Sequence, residues 1–277
     1  MPSSILTGRT LYPITVKVFH LFVLCMAAAL PIVAQDNYEV QVYGSETLSP
    51  GRTMVELHNN LTIGGQKKEI NGVYPTNHAW HETIEITQGL NSWSEVGFYI
   101  FTTWSPVYGY QWVGDHIRPR VRAPESWHWP VGASLSMEAG YQRARFSEDT
   151  WTWEIRPIID KDIGRWYLSF NPTLERSFHG PSVRDGLTFS PNAKASYKLF
   201  KRLDVGIEYY GGLGPLRGFN SLREQEQQIL PSIDIDFGPS WEFNFGLGVG
   251  VTQNTDHLLA KMIIGHRFNF GRRKTVR

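Results

Sequence analysis

The sequence predicts an all-β fold, a twelve-stranded antiparallel transmembrane β-barrel of the bacterial outer-membrane type. Three observations carry this prediction: long segments in which apolar and polar side chains alternate, connectors that alternate in length, and an N-terminal segment of secretory type. A period of two places alternate side chains on opposite faces of a strand. Strands of roughly nine to eleven residues can cross a bilayer when they are tilted.

Residues 1–34 are expected to form a signal peptide. Arg9 and Lys17 precede an apolar run over residues 18–30, and the small residue Ala34 offers a cleavage site. The apolar run is too short for a membrane anchor. Cys25 is the only cysteine, so the mature chain is expected to contain neither a disulfide nor a thiolate site.

Composition supports a membrane protein and excludes a nucleic-acid partner. The chain carries 27 basic and 26 acidic residues, a balance that gives no basic surface for nucleic acid. Its ten tryptophans and twelve tyrosines are many for 277 residues, and both residue types prefer the interface between bilayer and water. We therefore expect outer-membrane lipids to surround the protein.

The mature chain is expected to consist of three parts: a periplasmic or lumenal lead-in over 35–52, the barrel over 53–270, and a basic periplasmic tail over 271–277. The twelve strands are predicted over 53–63, 79–89, 94–103, 116–123, 131–142, 151–160, 166–175, 187–199, 203–211, 229–237, 241–252 and 258–270.

The predicted connectors alternate in length. Those after residues 89, 160, 199 and 237 are tight, and the one over 124–130 is moderate. Longer connectors are predicted at 64–78, 104–115, 143–150, 176–186 and 212–228, whereas 253–257 is short. Short turns at one rim and long loops at the other are typical of outer-membrane barrels. An even strand number then places both termini in the periplasm.

The two faces of each predicted strand differ in polarity. In 241–252, for example, Trp241, Phe243 and Leu247 share one face, while Glu242 and Asn244 share the other. In a soluble sandwich the apolar face would be a dry core. In a membrane barrel it contacts lipid, and the polar face lines the interior. Periodicity does not separate these cases, but the secretory segment, the strand length and the tryptophans near strand ends favour the barrel.

The last strand, 258–270, contains a pattern that resembles the C-terminal signal of outer-membrane barrels. Gly265, Phe268 and Phe270 match the glycine and the two outward aromatic residues of that signal. The resemblance implies that the outer-membrane assembly machinery is a partner that binds these residues. Ile263 stands where the signal normally has a polar residue, and the tail over 271–277 follows a strand that usually ends the chain.

Three further segments resemble one particular family. Residues 56–60 (ELHNN), 85–101 and 116–124 (HIRPRVRAP) are similar to outer-membrane barrels whose members are labelled transporters of the meta-pathway of phenol degradation. The resemblance covers residues 37–270. It implies a transport role without a demonstrated substrate.

The main candidate site is a ladder of three arginines, Arg118, Arg120 and Arg122, spaced by about 6.8 Å along one strand face. No carboxylate of the following strand directly opposes it. Asp234 and Asp236 are expected on the opposite wall of the barrel, across a gap of about 14 Å in a barrel roughly 24 Å wide. The residues expected to line the lumen and contact solute are Arg118, Arg120, Arg122, Glu138, Glu154, Arg156, Lys194, Lys198, Asp234, Asp236, Glu242 and Lys261.

Two interiors remain open at this point. Intervening charged side chains, among them Glu154, Arg156 and Glu208, could complete a closed ion-pair network that fills the barrel. Alternatively, the lumen is filled with water and carries a transverse field, basic on one wall and acidic on the other.

The sequence predicts no catalytic site, no metal site and no cofactor. His266 has no serine and acid that would complete a hydrolase triad on the lipid face. The spacing of His78 and His81, with Glu82 beside them, is compatible with metal ligands, but the sequence offers no clear further ligand.

The expected function is that of an outer-membrane channel or transporter for small solutes, anionic or aromatic. The alternative is a structural or surface-recognition barrel whose lumen is filled and whose long loops over 64–78 and 212–228 bind a partner. A membrane-embedded hydrolase is the weakest of the three hypotheses.

Overall fold

In a computed structural model of the protein, residues 37–269 are described. The predicted signal peptide over 1–34, Phe270 of the C-terminal signal and the predicted tail over 271–277 lie outside the described residues.

Twelve long strands and one two-residue strand form a single antiparallel sheet, which confirms the predicted fold class and strand number. The strands are β1 (Arg52–Gly64), β2 (Trp80–Asn91), β3 (Ser94–Ser105), β4 (Gly109–Arg122), β5 (Gly132–Gln142), β6 (Trp151–Ile163), β7 (Trp166–His179), β8 (Thr188–Phe200), β9 (Leu203–Gly212), β10 (Gly214–Pro215), β11 (Glu226–Ile235), β12 (Trp241–Gly250) and β13 (Leu258–Asn269).

The sheet closes on itself. Each long strand pairs with the long strands before and after it, and β13 returns to pair with β1, with Arg52 opposite Asn269 and Leu57 opposite Ile264. The short β10 pairs only with the beginning of β8, so β9 pairs directly with β11. Closure leaves none of the twelve long strands with an unpaired edge, which apolar strands of this length could not safely expose.

One predicted connector is wrong. Residues 104–115 were expected to form a long loop, but β3 runs to Ser105 and β4 begins at Gly109. Gly109 has φ of +68°, which allows the tight turn after Pro106. From there Tyr110 and Trp112 face outward, and a bulge at Val113 shifts the alternation so that Ile117 and Pro119 face outward in the rest of β4.

The polarity of the barrel is the reverse of that of a soluble protein. Outward side chains such as Leu247 (47% exposed) are apolar, whereas inward side chains such as Thr83 and Asn171 are polar and fully buried. This is the arrangement that lipid outside and a polar lumen inside require. Exposed tryptophans near the ends of the strands form two belts, with Trp93, Trp166 and Trp241 near the short turns and Trp80, Trp104, Trp112 and Trp151 near the long loops.

Helical structure in the described part of the chain is limited to two short 3-10 turns, Glu125–Trp127 and Pro181–Arg184. No helix between residues 37 and 269 is long and apolar enough to cross a membrane.

Residues 37–51, called here the lumenal segment, lie inside the barrel. Asn37 is at the long-loop end, where its Nδ2 donates to Asp256 at 2.9 Å. Gly51 is at the short-turn end, where its amide donates to the carbonyl of Gly89 at 3.0 Å. The lumenal segment therefore runs through the lumen from one end of the barrel to the other before β1 begins. Of the two positions considered for the lead-in, the described part occupies the lumenal one.

Candidate solute path through the barrel

Side chains of the barrel wall hold the backbone of the lumenal segment. The Tyr43 amide donates to Asn171 Oδ1 at 2.8 Å, and its carbonyl accepts from Ser169 Oγ at 2.6 Å. Ser45 donates to the Asp160 carboxylate twice, from its amide at 2.8 Å and from its hydroxyl at 2.6 Å. The lumenal segment contributes no strand to the sheet. These side-chain contacts therefore replace the ladder that would otherwise satisfy its backbone.

Apolar side chains of the lumenal segment pack on two sides of the lumen. Tyr38, Val40 and Val42 are all buried. The first cluster contains Val40, Val42, Tyr210, Leu230 and Leu259, and the second contains Tyr38, Tyr99, Phe101 and Val113. These contacts attach the lumenal segment to the wall in the part of the lumen nearer the long loops.

The first two arginines of the predicted ladder are paired with carboxylates. Arg118 is 2% exposed; its Nη2 donates to Glu85, its Nε donates to the Tyr99 hydroxyl, and its Nη1 lies 3.4 Å from Glu95. Arg120 Nη2 lies 2.7 Å from the same Glu95 carboxylate. Glu85, Glu95, Arg118 and Arg120 are called here the arginine cluster.

Arg120 also binds the lumenal segment, through the carbonyls of Gly44 at 3.0 Å and Glu46 at 2.6 Å. Arg122 lies apart from the cluster at the short-turn rim, where it pairs with Glu125 and donates to the carbonyl of Ser92. The ladder is thus divided into two buried members tied to the lumenal segment and one member at the rim.

Sequence reasoning missed Glu85 and Glu95. It considered only the strand after the ladder, where Ser136 lies opposite Arg120 and Ser134 opposite Arg122, without a carboxylate. The carboxylates come from the strands before it, and Glu95 lies directly opposite Arg120. A tight β3–β4 hairpin fixes the register that places Glu95 opposite Arg120. Because residues 104–115 were expected to form a long loop, this register could not be derived from the sequence.

Arg156 forms a second contact between wall and lumenal segment. Its Nη1 lies 3.0 Å from Glu39, and its Nη2 lies 2.7 Å from Glu154. Glu138, which lies opposite Glu154 across the strand pair, is 2.6 Å from His116 Nδ1. A carboxylate of the lumenal segment, that of Glu39, therefore forms an ion pair with a guanidinium group of the wall.

Three of the predicted lumen-lining residues, Lys194, Asp234 and Lys261, lie close to Glu208 on the other wall. Lys194 Nζ lies 2.7 Å from Asp234 and 3.3 Å from Glu208, and Lys261 donates to the Glu208 carboxylate. Asn244 Nδ2 donates to Asp234 at 2.8 Å. Lys194, Glu208, Asp234 and Lys261 are called here the lysine cluster. The structure thus places basic and acidic side chains on both walls.

The remaining predicted residues lie toward the short-turn end. Lys198 and Asp236 are exposed, and Asp236 accepts the Gly238 amide at 2.7 Å. Glu242 forms an ion pair with Arg267. These residues line the mouth of the lumen rather than its buried part.

Two cavities border the lumenal segment at the short-turn end. One of about 480 Å³ is lined by the lysine cluster, and one of about 370 Å³ is lined by Arg118, Arg120, Glu95 and Glu56. Gln41 and Gly44 line both cavities, so the lumenal segment lies between them.

No known protein-family model matches the sequence, and no curated protein does. The structure resembles an outer-membrane channel from Pseudomonas putida F1 with a TM-score of 0.55 and 10% identity, covering 83% of this chain and 100% of that one. It also resembles the KdgM porin, with a TM-score of 0.49 and 7% identity, covering 78% of this chain and 99% of that one. The likeness to Omp33 of Acinetobacter baumannii has a TM-score of 0.43 and 10% identity, covering 78% of this chain and 98% of that one. The first likeness shows that the fold is shared with an outer-membrane barrel. None of these names includes the meta-pathway label suggested by the sequence resemblance.

Proposed function

We propose that this protein is an outer-membrane channel for small solutes, and that the lumenal segment closes it at rest. The observation that carries the proposal is that a polypeptide segment outside the sheet fills the lumen between two charged cavities. The fold supports the location, because lipid-facing strands arranged in this way suit a membrane. β13 ends at the rim of the barrel that carries the short turns. In outer-membrane barrels the short turns lie on the periplasmic side, which supports placing this end in the periplasm.

The contacts of the lumenal segment support its displacement without unfolding of the barrel. Apart from backbone hydrogen bonds at Ser49 and Gly51, its polar contacts are hydrogen bonds and ion pairs with side chains, and each hydrogen bond contributes only about 0.5–1.5 kcal/mol net. Water can replace each of these partners, because the wall atoms involved are polar and point into the lumen. All twelve long strands keep their neighbours when the segment leaves.

Displacement would also vacate one side of two guanidinium groups, while Arg120 would keep Glu95 and Arg156 would keep Glu154 as partners. Arg156 would lose Glu39, and Arg120 would lose the carbonyls of Gly44 and Glu46. A solute carboxylate can take both places, since guanidinium groups bind carboxylates with strong, charge-assisted hydrogen bonds. Arg118 would remain paired with Glu85, so a stepwise anion path would use Arg120, Arg156 and the rim residue Arg122.

An aromatic ring on the solute would reproduce a second contact of the lumenal segment. The Tyr43 ring centroid lies 4.8 Å from the Arg156 guanidinium carbon and 5.1 Å from that of Arg118. The solute class that we propose is therefore a small aromatic carboxylate, which carries a ring and an acid together.

The test compares the intact mature protein with a variant lacking residues 37–46, each in planar bilayers and in liposomes. We expect low conductance from the intact protein and a clear rise after deletion, with benzoate entering faster than neutral benzyl alcohol. Adding Arg156→Gln to the deletion should remove the preference for benzoate. A deletion variant that migrates as a folded, heat-modifiable barrel but conducts no better than the intact protein would refute the proposal.

One observation favours the alternative of a recognition barrel with a filled lumen. The loop over 65–79 is held above the barrel, where Thr76 Oγ1 donates to Asp256 at 2.8 Å and the Tyr74 ring stacks on Tyr108 at 3.7 Å. An ordered loop of this kind can present a binding surface. If both the intact and the deleted protein are folded and closed to all solutes, this alternative replaces the channel.

A further inference from the structure

Three side chains on the inner wall form a cluster that the proposed solute path does not use. Glu56 and His58 are on β1, Glu85 is on β2, and Glu56 lies directly opposite Glu85 in the strand pair. One ligand atom from each of these residues lies within 4.8 Å of the other two. All three are buried, with His58 and Glu85 completely so. We propose that Glu56, His58 and Glu85 bind a divalent transition-metal ion, with Zn²⁺ as the first candidate.

The hydrogen bonds of the cluster leave the atoms needed for a metal free. Glu85 Oε1 accepts from Arg118 and from Thr87 Oγ1, whereas Glu85 Oε2 accepts no hydrogen bond. His58 Nε2 lies 3.5 Å from Glu85 Oε2, and neither ring nitrogen of His58 makes a hydrogen bond. A buried imidazole without a hydrogen bond is costly. This nitrogen and this oxygen face each other at ion-pair distance, and a metal ion bound by both would replace that contact.

The charge balance of this wall also favours a cation. Glu56, Glu85 and Glu95 provide three carboxylates, whereas Arg118 and Arg120 provide two guanidinium groups. Among the described residues none forms an ion pair with Glu56. Two adjacent buried carboxylates need either a shared proton or a cation between them. A divalent ion would more than offset this single excess negative charge, and it would give His58 a ligand bond at the same time.

One imidazole and two carboxylates are ligands that Zn²⁺ and neighbouring divalent transition metals accept, with ligand bonds of about 2.0–2.2 Å. Small side-chain rotations would bring the three atoms to such distances. Glu56 lines the cavity of about 370 Å³, which gives an access path from the short-turn end and room for a water as the fourth ligand. The site does not include His78, His81 or Glu82. Those residues were considered as metal ligands in the sequence, but no clear further ligand was found for them.

The experiment uses the full mature protein in detergent, treated with a chelator and then titrated with Zn²⁺ or Co²⁺. We expect one bound ion per chain, a Co²⁺ absorption spectrum of four-coordinate type, and a rise in melting temperature with Zn²⁺. Glu56→Gln and His58→Gln should each weaken binding by about tenfold or more. His81→Gln is the matched control, because His81 is a buried histidine of the same wall outside the three-residue cluster.

Two results would overturn the inference. One is equal Zn²⁺ binding by all variants, which would place the ion elsewhere on the protein. The other is absence of stoichiometric binding by the intact protein together with greater thermal stability of Glu56→Gln, which would show that the two carboxylates share a proton. Neither readout depends on conductance, so the metal site and the channel proposal can fail separately.

Discussion

The arginine cluster and the lysine cluster occupy opposite walls of one lumen but differ in two respects. In the lysine cluster two ammonium groups meet two carboxylates, whereas the arginine cluster, taken with Glu56, has one carboxylate more than its guanidinium groups. The arginine cluster also binds the lumenal segment, through Arg120 and through Glu95, which accepts the Leu48 amide at 2.7 Å.

This difference separates two tasks that a charged lumen can perform. The arginine cluster holds the lumenal segment and adjoins the metal site that we propose. The lysine cluster is neutral by itself and borders the larger cavity. Substitutions on the arginine side should therefore change stability and closure, whereas those toward the cavity should change mainly the local charge.

The largest effect is expected from Arg118→Met. This change leaves Glu85 without its guanidinium partner in a buried position, which costs about 3–5 kcal/mol in comparable buried pairs. Lys261→Met is the matched change in the lysine cluster and should cost less, because Glu208 retains Lys194 at 3.3 Å and the Tyr210 hydroxyl at 2.6 Å. Urea unfolding in liposomes measures both. Equal losses would mean that the clusters do not differ as described.

A second comparison sets the lipid face against the lumen face of one strand. Leu247→Arg places a charge outside the barrel and should destabilise it by about 2–4 kcal/mol in a bilayer. Asn244→Arg should cost much less, since Asn244 points inward and its amide already donates to Asp234 and Glu208. Equal penalties, or protein recovered in soluble form without detergent, would contradict the membrane orientation of the faces.

A smaller effect is expected where the wall holds the lumenal segment. Asn171→Ala removes the acceptor of the Tyr43 amide and one donor to the Tyr43 carbonyl. If the closed state loses about 1 kcal/mol of stabilisation, the open fraction should rise roughly fivefold. Channel recordings measure this fraction. Thr173→Ala, two residues further along the same face, is the control and should leave the open fraction unchanged.

The smallest effect is expected at the mouth. Lys198→Gln should shift the reversal potential toward cation selectivity and Asp236→Asn toward anion selectivity, since both residues are exposed there. Both shifts should shrink as salt rises, because physiological salt screens exposed charges beyond about 8 Å. Shifts in the same direction for both variants would show that these residues do not act through their charge.

The strands and their faces could be predicted because alternation is a local property. Residues 241–252 and 258–270 were predicted as strands, and the structure has Trp241–Gly250 and Leu258–Asn269. The contents of the lumen could not be predicted in the same way. The contacts of Glu39 with Arg156, and of Gly44 with Arg120, join an irregular segment to distant strands, and no sequence period encodes them.

The central claim is that the lumenal segment must move for solute to pass, and a reversible cross-link tests it most directly. A Cβ at position 132 would lie 2.2 Å from Ser45 Oγ and 2.1 Å from Asp160 Oδ1, so Ser45→Cys combined with Gly132→Cys brings two thiols within reach once the Asp160 carboxylate turns aside. Cys25 is the only native cysteine and lies in the predicted signal peptide.

Uptake of benzoate into liposomes is measured before and after reduction, with each single-cysteine variant as a control. We predict that the oxidised double variant excludes benzoate, that reduction restores uptake, and that the single variants do not respond to reductant. Equal uptake by the oxidised and reduced forms, with the cross-link verified, would contradict the claim.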